Sequence, residues 1–382
     1  MFQNVTEILT LIASTAVQWL FYRKPWFPKD FAPERILVIK LDHLGDVLLG
    51  TPVFSNLRRA YPNAELHALT GAWSRVVLEK HSDVSKVIEY NSPAFCRTGQ
   101  PTSFRGTFKL YRELRRQKYD LMVELRGDWR TVWFAFGRLT PKRLSRAALQ
   151  IANRLGFTQF SGTHETTRNL DVLKQAGIPT PVQTASFSVT AEDKKWASDF
   201  LATYRIDWQR PLIAIHPGSP IALKRWLPDR YAEVSDWLIA QKRAQILFVG
   251  VEEEIPIVIE IQALMQGESI NIAGKTTLTQ LASILHTCNV FIGNDSGPMH
   301  LAAAVGTQTI GLYGPGDPTR FGPAGVKCQT IRGQPDCPCV GTTCRFGKAG
   351  CMSEIQVTDV IQALEAAAYL TLNSRHASAV TN

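Results

Sequence analysis

The 382-residue chain contains no apolar run of about eighteen residues, so no segment is long enough to cross a bilayer comfortably as a helix. Neither half carries G-x-G-x-x-G, and H-E-x-x-H is absent, which removes support for dinucleotide oxidoreductase and zinc-protease chemistry. "AGKT" at 273–276 imitates the end of a phosphate-binding P-loop. The glycine such a loop requires four residues earlier is Ser269, so that reading is rejected. No helix-turn-helix, zinc-finger or RNP pattern occurs, and nucleic acid is not an expected partner. The N-terminus lacks a basic n-region and a small-x-small cleavage site, which argues against a signal peptide. The expected compartment is therefore reducing and cytoplasmic, with stable disulfides disfavoured.

What is present is unevenly distributed. Lys and Arg number 42 against 33 Asp and Glu, a formal charge of +9. From Arg97 to Arg154 there are 14 Lys and Arg against 4 Asp and Glu, so this one segment carries the whole excess. Such a surface is either a solvated helix face, as in "YRELRRQKYD", or a docking face for an anionic partner. The N-terminal "ILTLIASTAVQWLFYRKPW" reads in one of two ways. It is a helix packed on the body, or an interfacial helix anchored by Trp19, Trp26, Arg23 and Lys24 on a membrane surface. Four of seven cysteines crowd together as Cys337, Cys339, Cys344 and Cys351. Their spacing is not that of paired C-x2-C knuckles; a structural metal, local disulfides and reduced thiols in a glycine-rich loop all stay open.

From residue 35 onward, strand-like runs alternate with helical patterns. "RILVIKL", "AELHALT", "SKVIEY" and "YDLMVEL" are strands of a first set, each followed by a helical segment. The pattern breaks at "IPTPVQTASFSVT" (178–190) and then resumes with "PLIAIHPG", "AQILFVG", "SINIAG", "NVFIGND" and "QTIGLYG". Helices are expected over 229–242, 253–265, 278–286, from 298, and over 354–372, with residues 314–350 irregular. Alternation of this kind predicts an α/β fold: two Rossmann-like, doubly wound domains in tandem, with a cleft between them as the default site. The expected division is an N-terminal extension (1–34), a first domain (35–180), a linker (181–190), a second domain (191–372) with a Cys-rich loop (328–351), and a tail (373–382).

Three stretches carry candidate chemistry. In "VFIGNDSGPMHLAAAVG" (290–306) a strand turns through Asp295, Ser296 and Gly297 into a helix. Ser296 suits the N-cap, Pro298 the first turn, and the alanines allow close approach to the sheet. Free N–H groups at such a start suit a diphosphate, with His300, expected to be exposed, one turn in. A well-capped core helix with a surface histidine is the plainer alternative. In "IAIHPGSPIALKRW" (213–226), Ser219 and Lys224 are candidate phosphate donors, and Trp226 is expected to pack rather than stack. In "FVGVEEE", one of Glu252 to Glu254 could bind a ribose diol, and Glu252 is the residue chosen. "KLDHLGDVLLGTP" (40–52) holds two carboxylates after the first strand. Either a helix starts at Asp46 and kinks at Pro52, or it starts with Thr51 as N-cap and Pro52 at N1.

Together these motifs resemble the heptosyltransferase family of lipopolysaccharide-core glycosyltransferases, glycosyltransferase family 9, over about residues 35–370. The opening "RILVIKLDHLGDVLLGTPVFSNLRRAYP", "IHPGS" with Lys224 and Trp226, and "GNDSGPMHLAAAVG" occur in the family's order. The resemblance implies the two-domain GT-B arrangement and inverting, metal-independent transfer from a nucleotide sugar, typically ADP-heptose, to an acidic lipid or glycan acceptor. It implies Asp46 as general base, with Asp42 as the rival carboxylate. Ser219, Lys224, Glu252, Asp295, Ser296, Gly297 and His300 become donor contacts, and Arg130 an acceptor contact. No cofactor and no metal are expected, and the enzyme would be cytoplasmic with a membrane surface as a candidate partner. A nucleotide-sugar-binding protein without transfer, and a sugar epimerase of similar fold, are the alternatives.

Overall fold

The computed structural model describes residues 27–366 except 29, 95, 97–98, 129–138, 141, 155–158 and 334–349. The N-terminal segment expected to be a helix, with Trp19, Trp26, Arg23 and Lys24, and also Arg130, Cys337, Cys339, Cys344 and the tail, lie outside the described residues. The chain divides into two compact units, 1–183 and 184–382.

The first unit is built on five parallel strands: β1 (Arg35–Ile39), β2 (Glu65–Thr70), β3 (Lys86–Glu89), β4 (Leu121–Glu124) and β5 (Lys142–Ser145). Their order is β3-β2-β1-β4-β5. Ile36, Leu37, Val38 and Ile39 are fully buried because β1 is central and covered on both faces. A continuous aliphatic run is what a parallel sheet needs there. β5 has no such run; "KRLS" reads as a polar segment and was not expected to be a strand. It is an edge strand, where only half of the surface is covered. The helix Phe104–Arg116 links β3 to β4 and is N-capped by Ser103, whose hydroxyl accepts from Gly106 N at 3.1 Å. It buries Leu110 and Leu114.

The second unit has six parallel strands: β6 (Leu212–His216), β7 (Gln245–Phe248), β8 (Ser269–Asn271), β9 (Val290–Asn294), β10 (Gln308–Tyr313) and β11 (Cys328–Arg332). Their order is β11-β10-β9-β6-β7-β8. β11 falls inside the segment expected to be irregular; its strand character comes from pairing with β10, Thr309 opposite Cys328 through Tyr313 opposite Arg332. The core gathers Ile213, Ile215, Val290, Ile292, Ile310 and Leu312 from the strands with Val234, Leu238 and Val258 from the helices. Trp226 is 2 % exposed and donates from Nε1 to Ile355 O at 3.0 Å, so it is a packing residue. The C-terminal helix starts at Val357, not Glu354, because Gly350–Glu354 forms a separate tight turn.

Counted from its first strand, each sheet has the order 3-2-1-4-5, extended by one strand in the second unit. In both, the order reverses between two neighbours, β1 and β4 in one, β6 and β9 in the other. The loops after those strands diverge to opposite faces, and open α/β sheets bind ligands in the crevice this leaves.

Candidate active site

In the first unit the chain leaves β1 through Lys40, Leu41, Asp42 and His43. It then forms two short helices, Leu44–Leu48 and Thr51–Ala60. The two geometries considered for this turn are thus both partly realised. Pro52 lies in the first turn of the second helix, but the N-cap is Gly50, and Thr51 instead donates from Oγ1 to Leu48 O at 2.7 Å. Asp46 is not a cap either. His43 holds the N-cap position of the first helix, and Asp46 sits in its first turn.

The two aspartates have different partners. Asp42 faces Lys40 Nζ at 3.0 Å on one oxygen and Arg126 Nη1 at 2.5 Å on the other. Arg126 follows β4 and also bonds Leu41 O. Lys40 is buried, and Trp73 Nε1 and Ser74 Oγ hold Asp42 O at 2.7 and 3.0 Å. Asp42 is therefore pinned between two basic side chains. Asp46 is partly buried and makes no ion pair among the described residues. Burial pushes its carboxyl up from 3.8 to about 6; Asp42 and Glu165 add to the rise, while Lys40 and Arg126 oppose it. Desolvation outweighs the helix start, whose dipole alone would lower the value. Behind this turn Arg146 is buried against Glu165, with Nη2 to Oε2 at 3.0 Å and Asn169 Oδ1 at 3.0 Å from Nη1. That pair spends its charge internally.

In the second unit, β6 ends at His216 and β9 at Asn294, side by side. Asn294 is buried and ties the loops together. Its Oδ1 accepts from Trp226 N and Tyr231 Oη at 3.1 and 2.9 Å, and its Nδ2 donates to Pro217 O at 2.7 Å. The structure brings Lys224 Nζ to Asp295 Oδ2 at 2.5 Å. Ser296 occupies the N-cap position of the helix Gly297–Ala304, yet it makes no capping bond. Its Oγ lies 3.1 Å from His216 Nδ1 and 3.0 Å from Asn294 O. The helix start is therefore not closed off by its own cap residue, which suits an anion. His300 is buried rather than exposed, because the alanine-rich helix is packed against the sheet. Ser219 is buried, with Oγ accepting from Ile221 N at 3.2 Å and its carbonyl accepting from Arg225 Nε at 2.7 Å.

The three glutamates after β7 separate cleanly. Glu252 and Glu253 are exposed, whereas Glu254 turns inward and accepts from His216 Nε2 at 2.9 Å and Val251 N at 3.0 Å. Burial works to raise the Glu254 carboxyl, but the His216 hydrogen bond and charge, Val251 N–H and Arg225 hold it below the usual range. This packing demands glycine at 218: a Cβ there would lie 1.9 Å from Glu254 Oε1. Lys275 of "AGKT" donates to Tyr204 Oη and Asn271 O at 3.2 and 3.0 Å, as expected of a residue outside any phosphate loop.

Sequence reasoning missed the roles of Lys40, Arg126, His216 and Glu254. The available signal was a charged or imidazole side chain at the end of each central, otherwise aliphatic strand: Lys40 after "RILVI" and His216 in "LIAIH". Among the described residues, no group of His, Cys, Asp and Glu is arranged to hold a metal ion.

The model of glycosyltransferase family 9 (heptosyltransferase) matches residues 107–349, more than half of the chain. The chain is 27% identical over 349 residues to the lipopolysaccharide core heptosyltransferase OpsX of Haemophilus influenzae, covering 86% of this chain and 96% of that one. Its fold is similar to the glycosyl transferase family 9 structure from Veillonella parvula, with a TM-score of 0.74 at 24% identity over 91% and 98% of the two chains. It is also similar to E. coli heptosyltransferase WaaC with ADP, with a TM-score of 0.64 at 18% identity over 87% and 99%.

Proposed function

This chain belongs to glycosyltransferase family 9, the heptosyltransferases, and from that premise we propose that it moves a heptose from an ADP-sugar to an acidic lipopolysaccharide-core acceptor. The relatives support the substrate classes: OpsX bears the name of a lipopolysaccharide core heptosyltransferase, and the WaaC structure contains ADP. The observation that carries the chemistry is Asp46, a carboxyl at the switch point of the first sheet that makes no ion pair among the described residues and is pushed up to about 6.

The acceptor hydroxyl attacks the anomeric carbon while the nucleotide diphosphate departs, inverting the centre through an oxocarbenium-like transition state. Asp46 takes the hydroxyl proton; a base poised near the working pH is efficient at this. Lys224, Ser219, Asp295, Ser296, Gly297 and His300 surround the diphosphate, and growing charge on it is stabilised by Lys224 and the helix start. Glu252, exposed after β7, is the ribose ligand; Glu254 is committed to His216. Arg130 remains the acceptor residue in this reading, within a segment rich in cations. No metal takes part.

The enzyme works at the cytoplasmic face of a membrane. Among the described residues no helix is long and apolar enough to cross one. The helix Phe104–Arg116 offers a peripheral contact: Phe104 is 89% and Phe108 58% exposed, one turn apart. Exposed Arg105, Lys109, Arg112, Arg115 and Arg116 surround them. Apolar side chains amid cations are suited to an acidic lipid surface.

Purified protein incubated with ADP-heptose and a heptose-deficient core acceptor tests the assignment by mass spectrometry. The expected result is release of ADP together with an acceptor heavier by one heptose. ADP release without acceptor modification, or isomerisation of the sugar with no acceptor present, overturns it.

A further inference from the structure

The helix that carries Asp46 is too short to hold itself. Leu44–Leu48 spans five residues, and an isolated helix of that length is unstable in water. Leu48 and Leu49 are buried, so the carbonyls that close it need donors from the protein. Thr51 Oγ1 supplies one to Leu48 O, and Asn169 Nδ2 reaches Leu49 O at 3.3 Å. Asn169 is itself fully buried, and its Oδ1 accepts from Arg146 Nη1 at 3.0 Å. The Arg146 guanidinium forks onto Glu165, with Nη1 on Oε1 and Nη2 3.0 Å from Oε2. Nη1 also lies 3.2 Å from Leu125 O, the residue before Arg126. One buried group is thus bonded, directly or through Asn169, to both exits of the sheet. The exit of β4 sends Arg126 to Asp42, and the exit of β1 carries Asp46.

We propose that Arg146, Glu165 and Asn169 are positioning residues for the transfer reaction: they lock the Asp46 helix to the exit of β4, and Glu165 keeps the Arg146 charge from acting on Asp46. None of the three has to touch the reacting atoms. The inference rests on Asp46 as the base, the reading given above. Stability does not account for the cluster. A buried ion pair gives up so much hydration that apolar side chains of equal volume often do as well or better. What apolar side chains cannot do is hold two backbone carbonyls and an amide in one register. Two-point, charge-assisted bonds fix direction as well as distance.

The charges have a place to act. Burial raises the Asp46 carboxyl to about 6; Asp42 and Glu165 add to the rise, and Lys40 and Arg126 oppose it. Arg146 lies one hydrogen bond beyond Glu165, so it would join the opposing cations if Glu165 lost its charge. Arg146 itself faces Glu165, Asp42 and Glu124. Of these, Glu124 accepts from Gly127 N at 2.7 Å and Ser145 Oγ at 3.0 Å, which holds the exit of β4 from its other side. The helix Arg75–Glu79 also packs against the Asp46 turn, and its charges are directed elsewhere. Arg75 Nε lies 2.6 Å from Glu79 Oε1, and its Nη1 lies 3.3 Å from Glu89 Oε2.

Two substitutions separate the charge from the tie. Glu165→Gln keeps the shape and removes the charge. Asn169→Leu cuts the bond to Leu49 and keeps both charges. Transfer from ADP-heptose to a heptose-deficient core acceptor is followed from about pH 4.5 to 8, where a base of this kind shows its acid limb. Rates are expressed per ADP-binding molecule, counted by calorimetry, so unfolded protein does not contribute. In Glu165→Gln the acid limb of kcat/KM, set near pH 6 by Asp46 in the wild type, is expected to move down by about one pH unit. A merely structural loss would scale the profile and leave the limb in place. In Asn169→Leu the limb and the KM for ADP-heptose are expected to stay, while kcat falls about 10–100-fold, as for a group misplaced by up to about 1 Å. Should Glu165→Gln fail to fold, Asn169→Leu decides alone. An unmoved limb in folded Glu165→Gln, or a wild-type kcat in Asn169→Leu, overturns this inference and leaves Asp46 standing as the base. Normal transfer by Asp46→Asn overturns both.

Discussion

After β1 and after β6 the chain makes the same move. It leaves a central, aliphatic strand beside the neighbour that reverses the order of the sheet, β4 in the first unit and β9 in the second. Each exit brings two of the site's acids together with basic side chains. In the first unit both cations, Lys40 and Arg126, converge on one acid, Asp42, and Asp46 is left to burial. In the second the partners are shared out: Lys224 takes Asp295 and His216 takes Glu254. One carboxyl is consequently pushed up and the other held down. Environments that drive two carboxyls apart assign their work, one to move a proton and the other to hold a charge. The lesson concerns allocation: a carboxyl is pushed up where the nearby cations converge on its neighbour, and held down where a histidine and an arginine reach it.

The comparison breaks most completely at Asp46. Asp46→Asn keeps the shape and removes the proposed base, so transfer should fall by roughly 10²–10⁴-fold. ADP affinity, a property of the second unit in this reading, should stay as it was. In the wild type, kcat/KM should decline below about pH 6, where Asp46 takes up a proton. A variant that transfers at nearly the wild-type rate would sink the assignment. Lys224→Ala tests the other half. It strips the diphosphate of a charged donor and leaves Asp295 unpaired, so kcat/KM for the donor should drop about 10–100-fold, as for loss of a charge-assisted bond. Steady-state kinetics at fixed acceptor measure it; an unchanged value would remove Lys224 from the donor site.

How much of this could be read from the chain differs between the two levels. The sheets were legible because β1, β6, β9 and β10 are buried on both faces and announce themselves as aliphatic runs. β5 and β11 were not, since "KRLS" and "CQTIR" become strands only by pairing with β4 and β10 at a sheet edge. The turns that carry the candidate residues were legible from Asp, Ser, Gly and Pro at strand ends. Their wiring was not. That Arg126 meets Asp42 across 84 positions, or His216 meets Ser296 across 80, depends on β1 lying against β4 and β6 against β9. Spacing along the chain holds no trace of such pairings. Nor does it tell that Ser296, in an N-cap position, gives its hydroxyl to His216 instead of the helix.

Gly218 sharpens the comparison from the side of packing. The inward Glu254 passes so close to it that Gly218→Ala should either expel the carboxylate from His216 or displace the loop, costing about 1–3 kcal/mol as an overpacked site does. Urea unfolding should show the loss. Gly50, after the turn of the first unit, is less tightly enclosed. Its nearest neighbour to an added Cβ is Val47 O at 3.2 Å, so Gly50→Ala should cost less than Gly218→Ala. Equal costs would mean that the two exits are not packed as differently as their carboxyls suggest.

The smallest expected effect is also a test of why the Asp46 carboxyl is raised. Its carboxyl rises from 3.8 to about 6 on folding, so the folded state binds the proton more tightly than the unfolded state does. The stability linked to that proton is fully present below about pH 4 and is lost as pH climbs through 6. Above that, folding carries the cost of a partly buried anion that makes no ion pair among the described residues. Two pKa units set a ceiling of about 3 kcal/mol. Partial exposure of Asp46 reduces the expectation to about 1–2 kcal/mol. Asp46→Asn carries no such charge. It should therefore be more stable than the wild type at pH 8 and about equal to it at pH 4, while being far less active at pH 8. Urea midpoints of the two proteins across that range would show the gap opening with pH. A constant gap, or a wild type that is the more stable at pH 8, would mean that Asp46 is not an anion held against its solvation, and the base would have to be sought elsewhere in the turn.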